Sequence, residues 1–181
     1  LFYGIHVSKV VSECKTYTNT TPESYFLLTL PIPCKNANLI QCLDEYTAIE
    51  TLDGDNMLEI DDNGTKGICK KQILFWSFPK VLVIMLKRFG NNLRKNKDRI
   101  DFPLVDLDLS KYTIGYDRKS YVYDLYGICN HSGGVLGGHY WAHVKNANGK
   151  WYSYNDTRVT ELNENSLITE KAYCLFYRKK Y

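Results

Sequence analysis

Residues 137–156 read GGHYWAHVKNANGKWYSYND, a pattern typical of two β-strands joined by a short turn. Aromatic residues recur in Tyr140–Lys145 and again in Trp151–Tyr154, as expected for strands of a half-buried sheet. Asn148-Gly149 lies between the two runs, and this dipeptide is a strong signal for a tight hairpin. We therefore expect the two strands to run antiparallel, which places residues that are distant in sequence side by side.

Further strands and one helix are predicted on either side of this hairpin. The strand-like runs are Tyr3–Ser12, Tyr25–Leu30, Gln72–Phe78, Val81–Phe89, Tyr121–Asn130 and Ala172–Arg178. Pro31 and Pro33 end the second run, because proline has no N–H to donate to a sheet. Helical spacing begins after a candidate N-cap at Asn38 and places one apolar face on Leu39, Ile40, Leu43 and Tyr46. A helical turn is predicted at Asn163–Ile168, and the fold class is α+β, dominated by antiparallel sheet.

Composition and charge exclude several classes of protein. The 181 residues are 44% hydrophobic and 24% charged, which favours a packed core over disorder. The net charge of +3 is small and the basic residues are dispersed, so nucleic acid is not an expected partner. No apolar run approaches the ~20 residues that span a bilayer. The first residue is not methionine, and we expect the N-terminus of the protein to lie upstream.

The six cysteines are expected to be reduced thiols of an intracellular protein, in the cytoplasm or the nucleus. Their spacing is wide and irregular, unlike the framework of a small secreted scaffold. They are Cys14, Cys34, Cys42, Cys69, Cys129 and Cys174. A cluster of acidic residues between positions 44 and 62, interrupted by Gly54, predicts an exposed, turn-rich segment.

His139 is the strongest candidate for chemistry. It follows a glycine-rich stretch, Ser132–Gly138, and begins a strand, so a rigid element would hold the ring while it faces an open cleft. The hairpin brings Asn155 or Asp156 beside it, and either side chain could accept the second ring N–H. The pattern alone also fits a structural histidine, and His143 shares the predicted face of His139.

Several segments, taken in order, resemble the catalytic domain of ubiquitin-specific proteases. They include Tyr25–Pro33, Phe78–Phe89, Tyr123–Gly133, Gly137–Tyr140, Trp151–Asp156 and Ala172–Tyr177. The resemblance implies a papain-like cysteine protease fold with a β-rich palm and fingers, here as approximate fingers at 1–78 and palm at 79–181. It implies thiol-dependent hydrolysis of the peptide or isopeptide bond after the C-terminal glycine of ubiquitin, with ubiquitin and ubiquitinated proteins as partners.

The same resemblance implies roles for individual residues. His139 would be the general base, Asn155 the residue that orients it, and Asp156 an adjacent acidic group. Gly90–Arg99 and Ser132–Gly138 are similar to the two loops that cover the ubiquitin tail. The substrate-binding residues implied are Ser132, Gly133, Gly137, Gly138 and Tyr140.

Two departures from the family pattern limit what the resemblance implies. The box that supplies the nucleophilic cysteine is absent from these residues, and Cys14 is expected to be an unactivated thiol. We therefore expect an N-terminal thumb segment outside the chain to supply the nucleophile, and this chain alone to be inactive. The paired cysteines of a fingertip zinc site are also missing, so neither metal nor cofactor is expected. The alternative function is a catalytically inactive ubiquitin-binding scaffold.

Overall fold

Two main β-sheets, antiparallel except for one strand pair, share one core in a computed structural model that describes residues 1–90 and 93–180. The smaller sheet has the strand order β2-β1-β7-β4. Its strands are β1 (Gly4–Ser12), β2 (Thr18–Tyr25), β4 (Glu50–Leu52) and β7 (Cys69–Ser77). A separate short pair, β5 (Leu58–Glu59) and β6 (Lys66–Gly67), lies in the segment between β4 and β7.

The larger sheet positions the candidate site and has the order β13-β12-β11-β10-β14-β8-β3, with β9 beside β10. Its strands are β3 (Leu28–Leu30), β8 (Val81–Leu86), β9 (Leu107–Asp108), β10 (Val122–Gly134), β11 (Gly137–Lys145), β12 (Trp151–Asn155), β13 (Arg158–Leu162) and β14 (Ala172–Lys179). All pairs are antiparallel except β3 with β8. The predicted α+β class with an antiparallel β-rich fold is confirmed.

One α-helix, α1 (Leu39–Tyr46), packs beside the larger sheet. Asn38 caps it as predicted: its side chain accepts from the Gln41 N–H, and the Gln41 side chain accepts from the Asn38 N–H, both over 2.9 Å. Leu39, Cys42 and Leu43 are buried against the core. Short 3-10 turns occur at Gly54–Asn56, Ser110–Tyr112, Arg118–Ser120 and Glu164–Ser166. The last of these lies within the predicted Asn163–Ile168 turn.

Two stretches differ from the sequence prediction. The strand predicted at Tyr25–Leu30 is interrupted, because the chain leaves the smaller sheet after Tyr25 and enters the larger one at Leu28. The range 1–78, predicted as fingers, therefore contributes β3 to the sheet formed by the range 79–181. The glycine-rich stretch Ser132–Gly138 was predicted to be a loop, but most of it is paired strand.

The acidic residues between Asp44 and Asp62 are all exposed, as predicted, whereas Tyr46 and several apolar residues between them are half-buried. Of the polar loop predicted after Phe89, Asn91 and Asn92 lie outside the described residues. Among residues 1–90 and 93–180, no helix combines the length and the apolar content needed to cross a membrane.

Candidate active site

The structure brings His139 and Asn155 into direct contact. His139 lies on β11 and Asn155 at the end of β12, in the register that the Asn148-Gly149 hairpin sets. The Nε2 atom of His139 lies 2.5 Å from Oδ1 of Asn155. An amide oxygen only accepts, so Nε2 carries the proton and Nδ1 of the neutral ring keeps a free lone pair. The contact therefore presents one ring nitrogen as a base.

Asp156 is adjacent to this contact but is not held in the same way. Its Oδ2 lies 3.9 Å from Nε2 of His139, and its side chain is 78% exposed. The residue is at the start of the β12–β13 turn with a positive φ of 51°. At that distance and exposure, its interaction with the ring is weak.

A row of side chains on the same face supports His139. Its ring stacks on Trp141 with 6.0 Å between centroids and 21° between planes. Trp141 Nε1 donates in turn to Nε2 of His143 over 3.1 Å. His143 is buried, and burial lowers its pKa, so it is a neutral acceptor beneath the site. From the sequence alone, either His139 or His143 could be the candidate base. The structure distinguishes them, because His139 is half-exposed, whereas His143 is buried and fixes the Trp141 ring.

Trp141 itself was not predicted to belong to the site. The signal for it was present, since residues 139, 141 and 143 alternate along one strand and so share one face. Its part in holding the His139 ring could be recognised only from the stacking geometry.

The glycines before His139 form a hairpin rather than a loop. Ser132 pairs with His139, Gly133 with Gly138 and Gly134 with Gly137, so that only Val135 and Leu136 remain as the turn. Gly133 has a φ of +128°, and a Cβ placed on it would lie 2.5 Å from the Gly138 Cα. Glycine at both positions is what lets the two strands approach this closely.

The five predicted substrate-binding residues all lie on this hairpin, but not on one face. Tyr140 points away from His139, since consecutive residues of a strand face opposite sides. Its ring packs against His131 and Tyr173, with centroid distances of 4.5 and 6.2 Å. His131 is buried. The roles of Ser132, Gly133, Gly137, Gly138 and Tyr140 in binding remain predictions.

No cysteine accompanies His139 in the described part of the chain: its hydrogen bond, ion pair and ring contact involve Asn155, Asp156 and Trp141. Burial raises the pKa of Cys42 to about 11 and that of Cys174 to about 12, which keeps both as thiols. The prediction that Cys14 is unactivated is wrong, because the side-chain hydrogen bonds that it makes with Ser12 and Thr16 lower its pKa to about 7. Cys14 lies in the β1–β2 turn of the smaller sheet, whereas His139 lies on the larger one.

Within residues 1–90 and 93–180, no group of three or more His, Cys, Asp or Glu side chains is placed to hold a metal ion.

Comparisons with known proteins identify relatives along almost the whole chain. A family model described as ubiquitin carboxyl-terminal hydrolase matches residues 2–177. Ubiquitin carboxyl-terminal hydrolase 2 of Gallus gallus is 37% identical over 185 residues, covering 98% of this chain and 51% of that protein. Probable ubiquitin carboxyl-terminal hydrolase R319 of Acanthamoeba polyphaga mimivirus is 36% identical, covering 89% of this chain and 36% of its own length.

A solved structure also resembles this chain in its fold. The SAGA Ubp8/Sgf11/Sus1/Sgf73 DUB module bound to ubiquitin aldehyde contains a chain that superimposes with a TM-score of 0.84 at 30% identity. That alignment covers 100% of this chain and 42% of the other. This chain therefore spans about half, or less, of the length of these relatives.

Proposed function

The chain belongs to the ubiquitin carboxyl-terminal hydrolase family. We propose that it is the part of a thiol-dependent deubiquitinase that contains the general base, His139. The reaction is hydrolysis of the peptide or isopeptide bond after the C-terminal glycine of ubiquitin. The observation that carries the proposal is the His139–Asn155 contact at 2.5 Å, because it fixes one tautomer of an accessible imidazole. Its substrates are ubiquitin conjugates, and we place the protein in the cytoplasm or nucleus.

The proposed mechanism uses His139 twice. Nδ1 takes the proton from a cysteine thiol that a thumb segment outside residues 1–181 supplies, and the thiolate attacks the carbonyl carbon of the terminal glycine. The leaving amine takes that proton from the imidazolium as the C–N bond breaks, which leaves ubiquitin as a thioester. In the second half, Nδ1 takes a proton from water as the water oxygen attacks the thioester carbonyl. The C–S bond then breaks, ubiquitin leaves with a free terminal carboxyl group, and the imidazolium returns its proton to the thiolate. Asn155 holds Nε2–H in both halves, so the ring does not rotate between them.

Two observations, one on the relatives and one on this chain, favour ubiquitin as the substrate. The relatives are named for hydrolysis at the carboxyl terminus of ubiquitin, and the solved neighbour is bound to ubiquitin aldehyde. In this chain, the hairpin beside His139 carries four glycines, at 133, 134, 137 and 138. Without side chains on these residues, the backbone of an extended Gly-Gly terminus can approach the hairpin closely.

The test uses the full-length protein and a ubiquitin with a fluorogenic amide at its C-terminus. Wild type is expected to release the fluorophore, and His139→Ala to be slower by about 10³-fold or more. His6→Ala is the matched control, since it removes an imidazole from the smaller sheet and is expected to retain activity. If wild type and His139→Ala both bind ubiquitin and neither cleaves, the protein is an inactive ubiquitin-binding scaffold.

A further inference from the structure

A second histidine, His131, lies buried on the face of the sheet opposite His139. It is 2% exposed and is surrounded by aromatic rings. Its centroid lies 4.5 Å from that of Tyr140, 5.5 Å from that of Tyr173 and 5.9 Å from that of Phe89. A buried polar ring in such surroundings requires hydrogen-bond partners, and the partner of its Nδ1 comes from a different segment.

That partner is Lys95, from the segment Gly90–Arg99. Its Nζ lies 2.9 Å from Nδ1 of His131 and 2.5 Å from the carbonyl oxygen of the same residue. An ammonium group only donates, so Nδ1 accepts and the His131 ring is neutral with its proton on Nε2. Burial, and then the nearby Lys95 charge, lower the pKa of His131, in agreement with a neutral ring. Lys95 therefore joins its segment to β10 through two atoms of one residue.

The opposite edge of the His131 ring faces the backbone next to His139. A Cβ placed on Gly138 would lie 2.3 Å from Nε2 of His131 and 2.5 Å from the Ser132 carbonyl oxygen. The ring thus packs directly against Gly138, and Gly138 precedes His139 in β11. A rotation of the His131 ring would be transmitted to the strand that carries His139, because no side chain separates them.

The far end of the Gly90–Arg99 segment is anchored independently. Arg88, 1% exposed, donates from Nη1 to the carbonyl oxygens of Asn96 and Asp98 and from Nε to that of Ala172. The Asn96 N–H donates to the Arg88 carbonyl oxygen over 2.6 Å. The bonds to Arg88 hold the backbone of Asn96 and Asp98 next to Lys95. The ammonium group of Lys95 then fixes the distance between this segment and the hairpin that follows His131.

We propose that Lys95 and His131 form a positioning pair that ties the segment 93–99 to the Ser132–Gly138 hairpin and so sets how a ubiquitin tail is held against the hairpin beside His139. This inference rests on the proposed function. Neither residue is a catalytic residue: Lys95 acts through His131, and His131 acts through the backbone at Gly138.

The experiment compares Lys95→Met with Lys171→Met in the full-length protein. Methionine keeps an unbranched apolar chain and removes the ammonium group. Lys171 lines the same cavity as Lys95, Ser132 and Gly133, but its ion pair is with the neighbouring Glu170. Lys171→Met therefore removes the same charge from the same surface and leaves the bond to His131 intact.

Two quantities are measured for each variant. The first is kcat/KM on the fluorogenic ubiquitin amide, for which Lys95→Met is expected to fall by about tenfold to hundredfold and Lys171→Met to stay within about twofold of wild type. The second is the Kd for intact ubiquitin and for ubiquitin that lacks its last six residues. Lys95→Met is expected to weaken binding of intact ubiquitin and to leave binding of the truncated form unchanged.

The outcomes separate this inference from the proposed function. Equal kcat/KM values for the two methionine variants would overturn the positioning role. A loss of affinity for both forms of ubiquitin would also overturn it, since that pattern marks a general loss of the fold. If wild type itself releases no fluorophore, the proposed function is wrong, and the positioning role of Lys95 and His131 is wrong as well.

Discussion

At the scale of single residues, the hydrogen bond between His139 and Asn155 gives the two ring nitrogens different tasks. Nε2 carries a proton and donates a hydrogen bond to Oδ1 of Asn155, so Nδ1 is available as the base. Asp156 is adjacent in sequence, but its carboxylate lies 3.9 Å from Nε2 and is largely exposed. The structure thus distinguishes two neighbours that are equivalent candidates in the sequence.

This difference predicts unequal effects of two substitutions. Asn155→Ala removes the acceptor, frees the ring to rotate and change tautomer, and is expected to lower kcat by about 10²-fold or more. Asp156→Ala leaves the Asn155 bond in place and is expected to lower kcat by less than about tenfold. Steady-state kinetics on the fluorogenic ubiquitin amide measures both. A larger loss for Asp156→Ala than for Asn155→Ala would assign the orienting role to the carboxylate.

Gly138 offers a second test at the same scale. An alanine Cβ there would lie 2.3 Å from His131 and 2.5 Å from a backbone oxygen, so the strands must separate. Gly138→Ala is expected to lower stability by about 1–3 kcal/mol. Gly134→Ala is the matched control, since no atom lies within 4 Å of its Cβ position. Thermal denaturation compares the two; equal midpoints would show that the hairpin is not packed as described.

The residues of the site were predictable to different degrees. His139, Asn155 and the hairpin that joins them follow from a strand pattern, an Asn-Gly turn and the family resemblance. Trp141, His143 and the Lys95–His131 pair could not be assigned in this way. Their contacts depend on which face of the sheet each side chain occupies and on a pairing across 36 residues.

At the scale of the elements, apolar periodicity predicted the long strands with a buried face and missed the exposed strands β2 and β13. The strand β2 carries Pro22 and is exposed along nearly its whole length, and β13 is similarly polar. Both are edge strands, held by one neighbour each. Since an edge strand needs no apolar stripe, its sequence resembles that of a loop.

The cap of α1 provides a prediction at this scale. Asn38→Ala removes the acceptor for the Gln41 N–H and is expected to cost about 1 kcal/mol of unfolding free energy. Asn38→Ser keeps a side-chain acceptor and is expected to stay within about 0.5 kcal/mol of wild type. Urea denaturation followed by tryptophan fluorescence measures both. Equal midpoints for the alanine and serine variants would mean that the capping bond adds nothing to stability.

At the scale of the whole molecule, contacts between distant segments close the core around the larger sheet. Asp44, on α1, accepts from Lys111 and from the Tyr112 hydroxyl, both over 2.8 Å. The Tyr112 hydroxyl also donates to the Ile40 carbonyl oxygen. These bonds join the helix to the 3-10 turn after β9. Lys111, and to a lesser extent Tyr112, lower the pKa of Asp44.

The lowered pKa of Asp44 determines the direction in which stability changes with pH. A carboxylate whose pKa is lower in the folded than in the unfolded state stabilises the fold above the unfolded pKa of about 3.9. This stabilisation is lost as the pH falls through the lower, folded value. Asp44→Asn is therefore expected to destabilise the protein at pH 7 by less than about 1 kcal/mol, because the pair is half-exposed. Urea midpoints between pH 7 and pH 3 measure the difference, which is expected to shrink below pH 4; a constant difference would exclude ionisation as its cause.

The central claim is that His139 acts as the base for a nucleophilic cysteine outside residues 1–181. Covalent labelling of that cysteine tests this claim most directly. Full-length protein is treated with ubiquitin that carries a thiol-reactive electrophile at its C-terminus, and the modified cysteine is mapped by mass spectrometry. We predict a single adduct on a cysteine outside residues 1–181, formed in wild type and strongly slowed in His139→Ala. An adduct on Cys14 or another of the six cysteines of this chain would contradict the assignment, as would labelling that does not depend on His139.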